Sequence, residues 1–252
     1  MKNILIFQGK INVVIMIVFF IIFSIILYQP VCSADEAADA LEIIEEFDDQ
    51  PHAVYDPLIK YNRLMTRFND KLYVWILKPA SKGYAAIAPE PFRLAIDRFF
   101  LNIKFPVRFV NSLFQQKWKV SGIECARFTI NTTLGILGFA DPASEVFKIN
   151  ASEEDFGQTL GRYGMGSGCH IVLPLFGPSN VRDVLGRVTD YFLTPTNYLN
   201  DTELALGVSS FERLNFISLH RKEYELIKKE AIDAYLLIRD GYEKNRNLKI
   251  RE

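Results

Sequence analysis

Prolines at 57, 79, 89, 91 and 106 divide the first half of the chain's body into short stretches, each repeating its apolar residues at helical spacing. Asp56-Pro57 has the form of an acidic N-cap followed by proline in the first helical turn. Leu58, Tyr61, Leu64, Met65, Phe68, Leu72 and Trp75/Ile76 then form one stripe until Pro79. Beyond Pro89 and Pro91, a second stripe holds Phe92, Ile96, Phe99, Phe100 and Ile103. Pro106 opens a third helix, and a fourth is expected from about Val120 to Leu134. A long C-terminal helix is expected over roughly 210–245, with Tyr235, Ile238 and Tyr242 on one face. The best strand candidate is His170–Leu175, which Pro174 confines to an edge or an extended segment. The pattern predicts an all-α chain.

These stripes admit two readings. They are the core faces of a soluble helical bundle, where amphipathic helices usually belong and which composition alone favours, or the apolar faces of helices lying at a membrane interface. Two features favour the interface. Arg63, Arg67, Lys71, Arg93, Arg98 and Arg108 are interleaved with the aromatics. No segment after residue 34 approaches 18 uncharged apolar residues, so the body does not cross a bilayer as single helices.

Charge is distributed unevenly. Residues 35–50 carry eight acids and no base, whereas 60–127 carry 13 bases against 4 acids. An acidic tether (35–54) before a basic, aromatic-rich block points to an anionic partner surface, of lipid headgroups or nucleic acid. A pI near 6.3 excludes a uniformly basic nucleic-acid binder. At the N-terminus, Lys2 and Lys10 precede the uncharged run Ile11–Leu27, and Cys32-Ser33-Ala34 places small residues before Asp35. Residues 1–34 therefore read as a secretory signal peptide cut before Asp35. A lipoprotein acylated on Cys32 and a retained anchor are the alternatives, and all three place the body outside the cytoplasm.

The chain offers little for chemistry. His52, His170 and His220 are scattered, and there is no HExxH, CxxC or Walker loop. Ser167 lacks the flanking glycines of a nucleophile elbow, because Met165 and Cys169 stand there. Gly164-x-Gly166-x-Gly168 leads into HIVLP rather than a helix, which removes the dinucleotide-loop reading. Glu153-Glu154-Asp155 reads as a solvated helix start. Cys125 and Cys169 are open to pairing or to remaining free. The expectation is a protein that is not an enzyme and carries no cofactor or metal.

A set of ordered phrases then resembles the MlaA (VacJ) family. They include Asp56-Pro57-Leu58, Tyr61-Asn62-Arg63, Phe68-Asn69-Asp70-Lys71-Leu72, Pro89-Glu90-Pro91 and Phe99-Phe100-Leu101-Asn102. Ile130-Asn131-Thr132-Thr133-Leu134-Gly135, Asp141-Pro142-Ala143, Glu154-Asp155-Phe156-Gly157-Gln158-Thr159-Leu160-Gly161 and Gly177-Pro178-Ser179 follow. The match spans roughly 55–195. Two positions depart from the family pattern: bulky Val31 precedes Cys32, and Cys169-His170 stand where the family has proline and an aromatic.

The resemblance implies a ring of amphipathic helices lying in the membrane plane, with a helical domain over 55–210 and a C-terminal helix over 211–252. It implies phospholipid transport at the periplasmic side of the outer membrane, from its outer leaflet to a periplasmic lipid carrier of the Mla system. A trimeric porin is the expected partner and nucleic acid is not. The lipid path falls to Asn62, Arg63, Phe68 and Asn69 on one helix and to Gly164, Gly166 and Gly168, whose missing side chains leave an opening. The competing readings are that these residues only hold the fold, and that the protein is an exported scaffold for porins without lipid transfer.

Overall fold

A computed structural model of the protein describes residues 54–199, 201–230 and 233–252, without the side chains of 222–224 and 226–230. The signal segment with Cys32 and the tether through residue 53 lie outside the described residues. Val54–Glu252 is one compact unit. Among the described residues its regular structure is helical apart from one antiparallel hairpin.

Helix α1 (Ile59–Leu72) starts without a side-chain cap. Asp56, expected to cap it, instead accepts from Asn62 Nδ2 at 2.8 Å and from the Tyr235 hydroxyl. The helical path does not stop at Pro79 as expected. A five-residue π-helical turn (Tyr73–Leu77) leads directly into α2 (Lys78–Ile87). That turn resets the hydrogen-bond register, so Pro79 falls in the first turn of α2, where its missing N–H is tolerated.

Helices α3 (Glu90–Ile103), α4 (Phe105–Phe114) and α5 (Trp118–Thr133) occupy the expected places. The short α6 (Pro142–Glu145) and α7 (Phe156–Arg162) are capped by Asp141 and Asp155, each accepting from the backbone N–H three residues on. Strands β1 (His170–Leu173) and β2 (Gly177–Asn180) pair with His170 opposite Asn180, and Pro174 lies in the turn between them. Asn180 caps α8 (Val181–Leu193), and a 3₁₀ turn at Pro195–Tyr198 leads to the C-terminal helices. The single long helix expected over roughly 210–245 is divided in two: α9 (Thr202–Glu230, 29 residues) and α10 (Ala234–Arg251), which carries Tyr235, Ile238 and Tyr242. Asp233 starts α10 by accepting from the N–H groups of Tyr235 and Leu236.

Neighbour relations run in a closed cycle. Helix α1 passes through the π turn into α2, α2 and α3 pack on α9, and α3 packs on α4 and α5. Then α4 meets α7, α7 meets α8, α8 meets β2, and β1 returns to α1. Helix α10 lies on α7 and β2. At the α7–α8 crossing a Cβ on Gly186 would stand 2.3 Å from the Gly157 nitrogen, so only glycine permits this approach.

The polarity of this unit is the reverse of a water-soluble domain. Among the described residues, eight hydrophobic side chains are buried against 23 polar or charged ones. The fully buried side chains of largest volume are His170, Gln115, Gln158 and Glu124, none of them apolar. Trp75, Ile87, Trp118 and Ile136 are between 69% and 87% exposed, and they head a set of 37 exposed large hydrophobics. Scattered exposed apolar residues are ordinary; a buried interior dominated by amides, acids and guanidinium groups is not.

Candidate polar interior and glycine loop

Asn62 and Asn69 lie two helical turns apart, on the side of α1 that meets the hairpin. Asn62 Nδ2 donates to the His170 carbonyl at 3.0 Å, and its Oδ1 accepts from Val172 N at 2.8 Å. Asn69 repeats the pattern: Nδ2 donates to Leu173 O at 2.9 Å and Oδ1 accepts from Leu175 N at 2.8 Å. The two amides thus satisfy the outer edge of β1 and the turn after it, much as a third strand would. Arg63 pairs with Asp233 at 2.8 Å and stacks over Tyr235 at 5.2 Å. Phe68, on the same helix, is about half exposed.

The glycine loop runs straight into β1. Gly164 and Gly168 take positive φ (+85° and +71°), which explains glycine there. A Cβ at Gly164 or Gly166 would meet nothing within 4 Å, whereas one at Gly168 would touch Val181 Cβ at 3.0 Å. Buried Arg182 fastens the loop from beneath, its backbone N–H donating to Ser167 O at 3.2 Å and Nη1 lying 3.4 Å from Met165 O. The two groups of residues singled out in the sequence therefore converge on one strand, gripped by Asn62 and Asn69 and entered from Gly168.

Beneath them runs a charged lattice without local sequence signal. Arg246 on α10 donates to both oxygens of Asp155 (2.6 and 2.8 Å) and to Asp183 Oδ1 (3.0 Å). Tyr242 OH donates to Asp183 Oδ2 at 2.7 Å. Burial pushes the Asp183 carboxyl up, but Arg246, Tyr242 and Arg182 outweigh it and hold it below its ordinary value. Burial alone would lower Arg246, and the two aspartates hold it above the usual arginine range instead. His170 Nδ1 lies 2.9 Å from Glu243 Oε1, and Asn180 Nδ2 donates to the same carboxylate.

Asp190 differs. Burial raises it to about 7 against the opposing hydrogen bonds from Phe156 N and Asn111 Nδ2. The Glu153-Glu154-Asp155 run is not simply a solvated helix start: only Glu153 is exposed, Glu154 pairs with Lys117, and Asp155 both caps α7 and binds Arg246. Likewise Arg93, Arg98 and Arg108 are engaged within the protein, with Ser218, Glu145 and Glu124. Cys125 and Cys169 are free thiols. Among the described residues, no three side chains come together as metal ligands, and no helix is long and apolar enough to cross a membrane.

A closed succession of helices, apolar outside and hydrogen-bonded within, with a glycine-lined loop over its polar interior, defines the class. Within that class, the chain belongs to the MlaA lipoprotein family, whose model matches residues 54–249. It is 30% identical over 201 residues to the intermembrane phospholipid transport system lipoprotein MlaA of Haemophilus influenzae, covering 78% of this chain and 80% of that protein. The protein of the same name in Escherichia coli K12 is 30% identical over 190 residues, covering 74% and 75% of the two chains. A Rickettsia felis protein is 33% identical over 201 residues, covering 79% of each chain. A chain solved in a study of the structural basis for maintenance of bacterial outer membrane lipid asymmetry superposes with a TM-score of 0.69 at 29% identity, covering 77% of this chain and 98% of that one.

Proposed function

We propose that this protein is the outer-membrane lipid conduit of an intermembrane phospholipid transport system. It takes phospholipid from the outer leaflet and passes it to a periplasmic carrier. The observation that carries the reading is the reversed polarity of Val54–Glu252. An apolar exterior is stable in acyl chains, and internal hydrogen bonds satisfy the polar groups that lipid cannot. Exposing two acyl chains of about 30 methylenes to water costs on the order of 25 kcal/mol at ~0.8 kcal/mol each, so a lipid mover needs shielding rather than catalytic groups. Membership of the MlaA lipoprotein family, with relatives named for phospholipid transport, supports the same reading.

In this scheme residues 1–34 export the chain, the exposed aromatic and aliphatic faces lie in lipid beside a trimeric porin, and the glycine loop forms a thin wall of the passage. Gly166 provides the test. Its surroundings are open and its φ is not in the left-handed region, so Gly166→Leu should fold. In a Gram-negative host lacking its own family member, the variant should reach the outer membrane yet fail to clear phospholipid from the outer leaflet. Unchanged clearance with folded protein removes Gly166 from the path. A wild-type protein that binds porin but never lipid leaves the scaffold reading instead.

A further inference from the structure

A cleft of about 500 Å³ opens between the stretch 151–154 and the C-terminal half of α10, and none of the residues assigned above to the lipid path lines it. In its wall Lys117 Nζ donates to Glu154 Oε1 at 2.9 Å, and both side chains are nine-tenths buried. At its rim Lys249 pairs with the exposed Glu153. Among the described residues, Glu154 Oε2 and Ser152 Oγ are buried without a hydrogen-bond partner, a condition native interiors rarely leave unexplained. The terminal torsion of a glutamate is broad, and Glu154 and Ser152 both line the cleft. An ammonium carries three donors and Glu154 takes one of those on Lys117. The cleft therefore offers an acceptor beside a cationic donor, in a volume far larger than a single water fills.

We infer that this cleft binds the headgroup of a zwitterionic phospholipid whose cation is a primary ammonium, with the ammonium on Glu154 and the phosphate on Lys117 and Lys249. This rests on the phospholipid-transport reading and adds a headgroup preference to it. An ethanolamine phosphate carries opposite charges two carbons apart, and the cleft lining holds both lysines and glutamates. A quaternary ammonium has no N–H to give Glu154, and among the described residues no aromatic ring lines the cleft to receive it as a cation–π cage. A headgroup of net negative charge meets two lysines against Glu153, Glu154 and Glu252.

The test titrates the purified full chain in detergent with glycerophosphoethanolamine, glycerophosphocholine and glycerophosphoglycerol by calorimetry. The ethanolamine compound should bind about tenfold more tightly than the other two, the factor one charge-assisted hydrogen bond supplies. Glu154→Gln should bring the ratio to about one. Because that change also breaks the Lys117 pair, Ala151→Leu serves as a second variant: it narrows the cleft, leaves every charge in place and should weaken binding of all three. Equal affinities in the wild type, or a preference that survives both variants, overturns the proposal. Phosphatidylethanolamine in nanodiscs should compete with the soluble headgroup; failure to compete assigns the cleft to a free zwitterion and overturns the lipid assignment. Lipid clearance that proceeds without headgroup preference sinks this inference alone, while headgroup binding without lipid movement sinks the transport reading.

Discussion

Replacing Arg246 with methionine keeps most of the aliphatic stem and removes the guanidinium that joins α7, α8 and α10. In the native protein that group contacts Asp155 at 2.6 and 2.8 Å and Asp183 at 2.8 and 3.0 Å, with Asp183 almost fully enclosed. Taking one partner from a buried ion pair costs about 3–5 kcal/mol, because a charge is left uncompensated. Here Arg182 Nε (3.1 Å) and Tyr242 OH (2.7 Å) remain on Asp183, which places the expected loss near the low end, about 3 kcal/mol. For a unit of this size that lowers the melting temperature by roughly 6–12 °C.

The sign of the pH effect is a sharper check. In the wild type Asp183 is depressed below 3.8, so its contribution is present above that pH and lost as pH falls through the lower folded value. Without Arg246, burial dominates and raises the carboxyl, so the folded state takes up a proton more readily than the unfolded one. The deficit of Arg246→Met should then shrink between pH 7 and pH 5. Differential scanning fluorimetry in detergent measures it, and adding Asp183→Asn should recover at least about 1 kcal/mol of the loss. A variant melting within about 2 °C of wild type, or a deficit that widens toward pH 5, refutes the argument.

Asp190, raised to about 7, protonates more readily folded than unfolded, so its contribution weakens as pH rises from about 4 through 7. Asp190→Asn should therefore melt higher relative to wild type at pH 8 than at pH 5, and a pH-independent difference would contradict this. Gly186→Ala forces a Cβ against the Gly157 backbone at 2.3 Å and should strongly reduce recovery of folded protein, whereas Gly207→Ala, with nothing within 4 Å, should not. Asn62→Ala strips hydrogen bonds from His170 O and Val172 N and should cost about 2–3 kcal/mol in a thermal melt; no loss would mean the amide does not hold the hairpin.

Much of the local structure follows from residues close in the chain. Proline spacing and the apolar stripes mark α3 to α5, because helical period and missing N–H groups act within a turn or two. Asp141, Asp155 and Asn180 cap the helices that begin beside them for the same reason. The turn chemistry of Gly164 and Gly168, and the phrases shared with the MlaA family, are equally legible. Tertiary structure decided what those stripes face. A helical period of apolar residues identifies a face but not its covering, and only the assembled unit shows Trp75 and Ile87 pointing out while Asn62 and Glu124 lie within. It also made Asp56 a partner of Asn62 and Tyr235 rather than a cap, and carried the helix past Pro79 through a π turn. The lattice of Asp155, Asp183 and Arg246 joins residues 91 and 63 positions apart. Coulombic pairing depends on distance in space, and nothing in the local pattern around any one of them records it.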